Sequence, residues 1–326
     1  MRKRNTSALW VLVYCAIVVK DLDASIVGET AAVATSCLWT VSSIFFTAAG
    51  KKIGSLSVNA YRTIMAVGFL VVAHAALLGT ILPVASDEQW FWMGASGIVG
   101  LGIGDCGLFA AYIVMGPRRS VLVMALSPIF ASLGAYLMLG ETIPTWAIVG
   151  IAVTLGGVVV VIMEEEERSG EDPISGKLKG YGVFLALVGA AGQGIGLVLA
   201  KKGIDLYPEM TLNPLSATLM RLVLGTVFVW LVILVAGRLP ELRKAIKSKD
   251  GFSNTAAGAF IGPFLGITLS MIAVTYTEAG IAQTLMSLMP VLIIPTVWIL
   301  YKQRTSWRGI LGAAIAVIGV SILFLT

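Results

Sequence analysis

The chain has 326 residues, of which 57% are hydrophobic and only 13% charged; its mean hydropathy is +0.92 and its formal net charge +5. A water-soluble domain carries about a quarter charged residues, so this inventory cannot cover a water-facing surface and the main solvent must be lipid. The basic excess is scattered through short connections rather than gathered into a patch. It therefore points to membrane orientation and away from nucleic acid.

The chain opens with Arg2, Lys3 and Arg4, followed by the apolar run Ala8–Val19. Crossing about 30 Å of hydrocarbon takes roughly 20 residues, so this run is too short to span, and no A-x-A cleavage site follows it. Three readings of residues 1–27 stay open: a short anchor, a signal-like beginning or a later start of translation. Beyond it, ten apolar runs qualify as spans, near residues 30–49, 63–84, 91–115, 120–139, 143–163, 181–200, 213–237, 255–277, 280–301 and 309–325. They are too long and too uniformly apolar for barrel strands, so helices are predicted. Cys15, Cys37 and Cys106 lie in or beside these runs without CxxC spacing, which gives no disulfide framework. With a single His in the chain, no metal site or cofactor is expected either.

Between spans five and six lies the one strongly hydrophilic stretch of the middle, Glu164–Lys179, whose Ser-Gly and Asp-Pro pairs predict a flexible connection. It divides two similar halves. An offset of 162 positions pairs Gly100 with Gly262, Gly104 with Gly266, Met124 with Met286, Pro128 with Pro290, Gly150 with Gly312 and Gly157 with Gly319, without a gap. The predicted fold is an all-α integral membrane bundle of ten core spans, in which residues 28–163 and 180–326 form two five-helix repeats. Because five is odd, the second repeat must be inverted. That is the arrangement of secondary transporters with a solute site near the midplane. Lys and Arg concentrate in the odd-numbered connections, for example Lys51, Lys52, Arg118, Arg119, Arg243 and Lys244. The bias puts the 164–179 linker in the cytoplasm and the carboxyl terminus outside a plasma or inner membrane.

Several residues resemble the drug/metabolite transporter superfamily in its ten-helix form with two EamA-type repeats. The resemblance rests on Gly28–Thr47 with Trp39, on Met124–Pro128 followed by Leu139-Gly140-Glu141, Gly150 and Gly157, and on their echoes Met286–Pro290, Gly312 and Gly319. Arg62 and Arg221 fall where that family often has an Arg opening the second helix of a repeat. Two departures stand out: Lys302-Gln303 replaces Gly140-Glu141 in the second copy, and its first connection, Gly203–Asn213, is longer. The resemblance implies a solute carrier without a nucleotide-driven motor, and names no solute.

Asp105, near the centre of span three, is the sharpest candidate for solute or proton coupling. A carboxylate there costs roughly 2.5–3.5 kcal/mol on insertion scales and should face protein or water; the rival reading is a hydrogen-bonded packing residue. The stretch Gly102–Asp105 matches the GxGD of intramembrane aspartyl proteases. That chemistry needs a second carboxylate, and no other Asp lies well inside a span. His74 is placed to exchange protons with Asp105, or else to sit neutral at a helix interface. Gln193, among Gly189, Gly192, Gly194 and Gly196, and the aromatics Trp39 and Tyr276 are expected cavity contacts. Arg62 and Arg221 are candidates for gating or anion contact, or for snorkelling from helix ends. Pro128 and Pro290 are expected hinges. The expected activity is secondary transport of a small metabolite or drug-like solute, with protons as a candidate coupling ion, by a monomer or weak homodimer that is not an enzyme. A channel or a membrane-embedded enzyme is the alternative.

Overall fold

A computed structural model describes residues 24–115, 120, 123–169, 176–207, 209, 211–289, 291–292 and 306–323, and all regular structure among them is helical. In chain order, α1 is Ala24–Ile53 and α2 is Ser55–Leu78. Helix α3 is continuous through Asp87–Ser96, the π-helical stretch Gly97–Gly104 and Asp105–Met115. Next come α4 (Ser127–Leu139), α5 (Thr145–Ser169), α6 (Gly176–Ile204) and α7 (Pro214–Val235). A short surface helix, Leu239–Ala245, leads into α8, which is continuous through Lys249–Ala259, a second π-helical stretch Phe260–Gly266 and Ile267–Tyr276. The last two are α9 (Ala279–Met286) and α10 (Trp307–Leu323).

Six of these helices are long and apolar enough to cross a membrane, and Ser127–Leu139, Thr145–Val160 and Trp307–Ile322 are shorter apolar helices. Large side chains such as Val72, Leu137 and Val235 stand exposed on the outside, as lipid-facing residues should. The polytopic membrane class follows. The expected boundaries shift in places. Helix α2 starts at Ser55 and stops at Leu78, because Gly79 takes a left-handed φ of 75° that closes the helix before Pro83 can be reached. A capping box between Ser86 and Gln89 then starts α3. The hydrophilic stretch 164–179 was expected to be a flexible connection, yet α5 runs on to Ser169 and α6 begins at Gly176. Glu and Lys are good helix formers, so the helices continue past the apolar stretch. The amino-terminal segment and the last part of span nine, residues 293–301, fall outside the described residues.

Small residues bring the helices together. A Cβ on Gly157 of α5 would lie 2.3 Å from the Ala316 amide nitrogen of α10, and one on Gly319 would lie 2.4 Å from the Thr154 nitrogen. As the α5 number rises the α10 number falls, so the two helices run antiparallel. These two contacts are mates under the 162-residue offset, since Gly157 corresponds to Gly319 and Thr154 to Ala316. Helix α3 meets α6 antiparallel through Gly104 against Gly192 and Gly100 against Gly196. Helix α8 meets α1 likewise through Gly266 against Trp39 and Gly262 against Ser42. Here the gap-free offset fails. If Gly262 answers Gly100, then Ser42 answers Gly196, and α1 is shifted by eight positions relative to α6. The longer connection after α6 absorbs the difference.

Candidate functional site

Between the halves lies a cavity of about 530 Å³, within the usual range for small-molecule sites. Its walls come from α1, α3, α4, α6, α8 and α9, with Val58 and Arg62 added by α2, Val158 by α5 and Arg221 by α7. It reaches Gly50 and the exposed Thr47 near the carboxyl end of α1.

Both π-helical stretches reach the cavity wall, through Leu101 in the first and Gly262 and Pro263 in the second. Gly97, Gly100, Gly102 and Gly104 have no side chains to resist a widened turn, and in the second copy Gly262, Pro263 and Gly266 play that part. The absence of Cβ atoms lets α6 press directly on α3, and Ser96 Oγ donates to the Gly196 carbonyl at 2.5 Å. Asp105 immediately follows the first π stretch and is buried. Its Oδ2 accepts from Arg62 Nη2 in a close ion pair, and its Oδ1 accepts from Gln193 Nε2 at 2.8 Å. Arg62 is held in turn by its Nε donating to Asn59 Oδ1 at 2.9 Å, and by the rings of Phe46 and Phe109, whose centroids lie 5.6 and 5.2 Å away. Arg221 enters from α7, which packs beside α2 and the π-helical stretch of α3. It is 3% exposed, and its Nε has no hydrogen-bond partner among the described residues. A Cβ on Gly100 would lie 2.7 Å from its Nη2, so that glycine makes room for the guanidinium.

The structure thus unites Asp105, Gln193, Trp39, Arg62 and Arg221 in one cavity. It separates two expected members. His74 is buried elsewhere, with Nδ1 2.6 Å from the Thr80 carbonyl and Nε2 2.9 Å from Ser216 Oγ, so it ties α2 to the start of α7 and does not reach Asp105. Tyr276 is 45% exposed and does not line the cavity, because α8 turns it outward. The arginines do not snorkel. Both sit two turns inside their helices, since α2 begins at Ser55 and α7 at Pro214. Pro128 is buried in the first turn of α4, just after the interruption at Ala125–Leu126, a position where its missing N–H leaves no intrahelical bond unmade. Ser287–Leu288 interrupts the second copy at the matched place, and Pro290 lies outside the described residues. Gln283 and Ser270 also line the cavity and went unremarked in the sequence, although a Gln within an apolar span is itself a signal.

At the far end from Gly50, Lys201 of α6 donates to the carbonyls of Val274 at 2.9 Å and Thr277 at 2.6 Å. Its Nζ also stands 3.3 Å from Glu141 Oε1, at ion-pair distance without hydrogen-bond geometry. Glu141 Oε2 accepts from the Ala279 amide at 3.1 Å. The carbonyls ending α8 and the amide opening α9 thereby find partners, and these contacts latch α6, α8, α9 and the end of α4 together.

A bundle of apolar helices enclosing a mostly apolar cavity, with a buried cluster of charged side chains in its wall and the Lys201 latch at one end, defines a membrane protein built to handle a small solute. The family model of EamA-like transporters matches residues 26–163 and again 180–325. The chain therefore belongs to the EamA-like transporter family, a family of membrane transporters of the drug/metabolite type. No curated protein matches it. A solved structure described as "Crystal structure of protein" is similar to it in fold, with a TM-score of 0.72 at 16% identity over 93% of this chain and 96% of the other.

Proposed function

We propose that the chain is a secondary carrier that moves a small solute across the plasma or inner membrane by alternating access. In this reading ten spans form two inverted five-helix repeats, residues 28–163 and 180–326, with the 164–179 linker cytoplasmic and the carboxyl terminus outside. The observation that carries it is the mirrored pair of contacts, Gly157 on Ala316 and Gly319 on Thr154. Such reciprocity between antiparallel helices is what a twofold axis in the membrane plane produces. The turns that interrupt regular α-helix at Ala125–Leu126 and Ser287–Leu288 lie at matched places in the two halves, with Ala125 and Ser287 both in the cavity wall. Asp105 and Arg62 form the charge element through which protons would couple. Protonating the carboxylate releases Arg62 from its counter-ion and changes what the cavity offers a solute.

The test uses a single cysteine at Ser270, deep in the cavity, in a background freed of Cys15, Cys37 and Cys106. A membrane-impermeant thiol reagent should label Ser270→Cys from either side of sealed proteoliposomes. Labelling confined to one side under all conditions would contradict alternating access.

A further inference from the structure

We infer that the solute is a small organic anion with an apolar body, and that Arg221 is the residue that grips its charge. This deepens the carrier reading and rests on it. The cavity wall carries three charge-bearing side chains among its described residues: Arg62, Asp105 and Arg221. Two are cationic and one anionic, so the cavity holds a surplus positive charge. Asp105 is in no position to receive a cation, because Arg62 occupies one carboxylate oxygen and the Gln193 amide the other. Arg62 is likewise committed, to Asp105, Asn59 and the two flanking phenylalanine rings. Arg221 lies within electrostatic reach of Asp105 but forms no ion pair with it, and its buried Nε lacks an acceptor.

A buried guanidinium with an unfilled donor is costly in a low-dielectric interior. An incoming carboxylate or other monoanionic head supplies both the missing acceptor and the missing charge, and a planar fork of N–H donors fits it bidentately. The rest of the wall sets the body of the solute. Trp39, Leu101, Leu108, Met124 and Met286 present apolar surface, while Ser270 and Gln283 offer hydrogen bonds on the α8–α9 side. A cation would meet two arginines. A neutral apolar molecule would leave Arg221 as it is.

The experiment compares thermal stabilisation of the purified protein by three matched probes: phenylacetate, phenylacetamide and phenethylammonium. The expected result is stabilisation by phenylacetate at a concentration about tenfold or more below that needed for the amide, with none from the ammonium compound. Arg221→Gln should abolish the preference for the anion, and Arg221→Lys should keep its sign with weaker affinity. If a variant does not fold, the wild-type comparison still decides. No preference for phenylacetate over the amide and the ammonium compound overturns the inference. Two-sided labelling of Ser270→Cys in that case leaves a carrier of neutral or cationic solutes. Anion preference with one-sided labelling would instead retain the site and refute the carrier.

Discussion

Arg62 and Asp105 meet in a pocket where the two side chains retain 15% and 6% of their exposure. Removing one partner of a buried pair leaves an uncompensated charge, which costs about 3–5 kcal/mol, whereas removing both is far less harmful. Asp105→Asn should therefore lower the unfolding free energy by about that amount in denaturant titrations, and Arg62→Gln with Asp105→Asn should recover most of it. A single variant as stable as the parent would mean that the pair is solvated. His74 belongs to a different environment. One of its hydrogen bonds is to the Thr80 carbonyl just past α2 and the other to Ser216 of α7, so His74→Ala should cost about 1–3 kcal/mol while leaving the pH profile of transport unchanged. A displaced profile would bring His74 back into coupling. The sequence marked Asp105 plainly, since a carboxylate at mid-membrane depth needs a reason. It did not reveal the partner. Arg62 seemed to stand at a helix end, because polar residues from Ser55 to Asn59 hide the true start of α2, and an eight-residue error there turns a cavity residue into a surface one.

At the level of the helix, apolar length was readable and local geometry was not. The glycines of 97–104 and 260–266 were visible as close-packing residues, but a π stretch depends on what the neighbouring helix presses against, which periodicity does not encode. Gly156 and Gly157 illustrate the same limit. They are adjacent and identical, yet a Cβ on Gly156 meets nothing within 4 Å while one on Gly157 meets the α10 backbone at 2.3 Å. Gly157→Ala should destabilise by about 1–3 kcal/mol, because backbone cannot move aside as a side chain can. Gly156→Ala should be neutral or stabilise by up to about 1 kcal/mol. Equal effects in the two variants would show that α5 and α10 are not in this register. The latch is an element-scale device as well. Lys201 joins the end of α8 to Glu141 after α4, whose other oxygen accepts from the Ala279 amide at the start of α9, and all of these contacts must break for that end to open. Lys201→Met should raise the rate at which Ser270→Cys is labelled from the latched side by about fivefold or more, a shift of roughly 1 kcal/mol. An unchanged rate would assign the closure to apolar packing alone.

For the molecule as a whole, the two halves were legible because glycines and prolines recur at one offset in the later helices of each repeat. The earlier helices escaped it. Ser42 answers Gly196, a displacement that the constant offset could not show, since α1 and α6 share few residues and their connections differ in length. What the contacts fix is direction: α3 opposes α6, α8 opposes α1, and α5 opposes α10. If the halves are inverted, the carboxyl ends of α1 and α6 lie on opposite faces of the membrane. Lys51 marks the first end and Asp205 follows the second, and both are exposed. In the cysteine-free background, Lys51→Cys and Asp205→Cys should react with an impermeant reagent from opposite sides, Lys51→Cys from the cytoplasm. Reaction of both from one side would require α1 and α6 to run parallel. That result would contradict the reciprocal contacts of α5 with α10 and remove the axis on which the two faces of the cavity exchange.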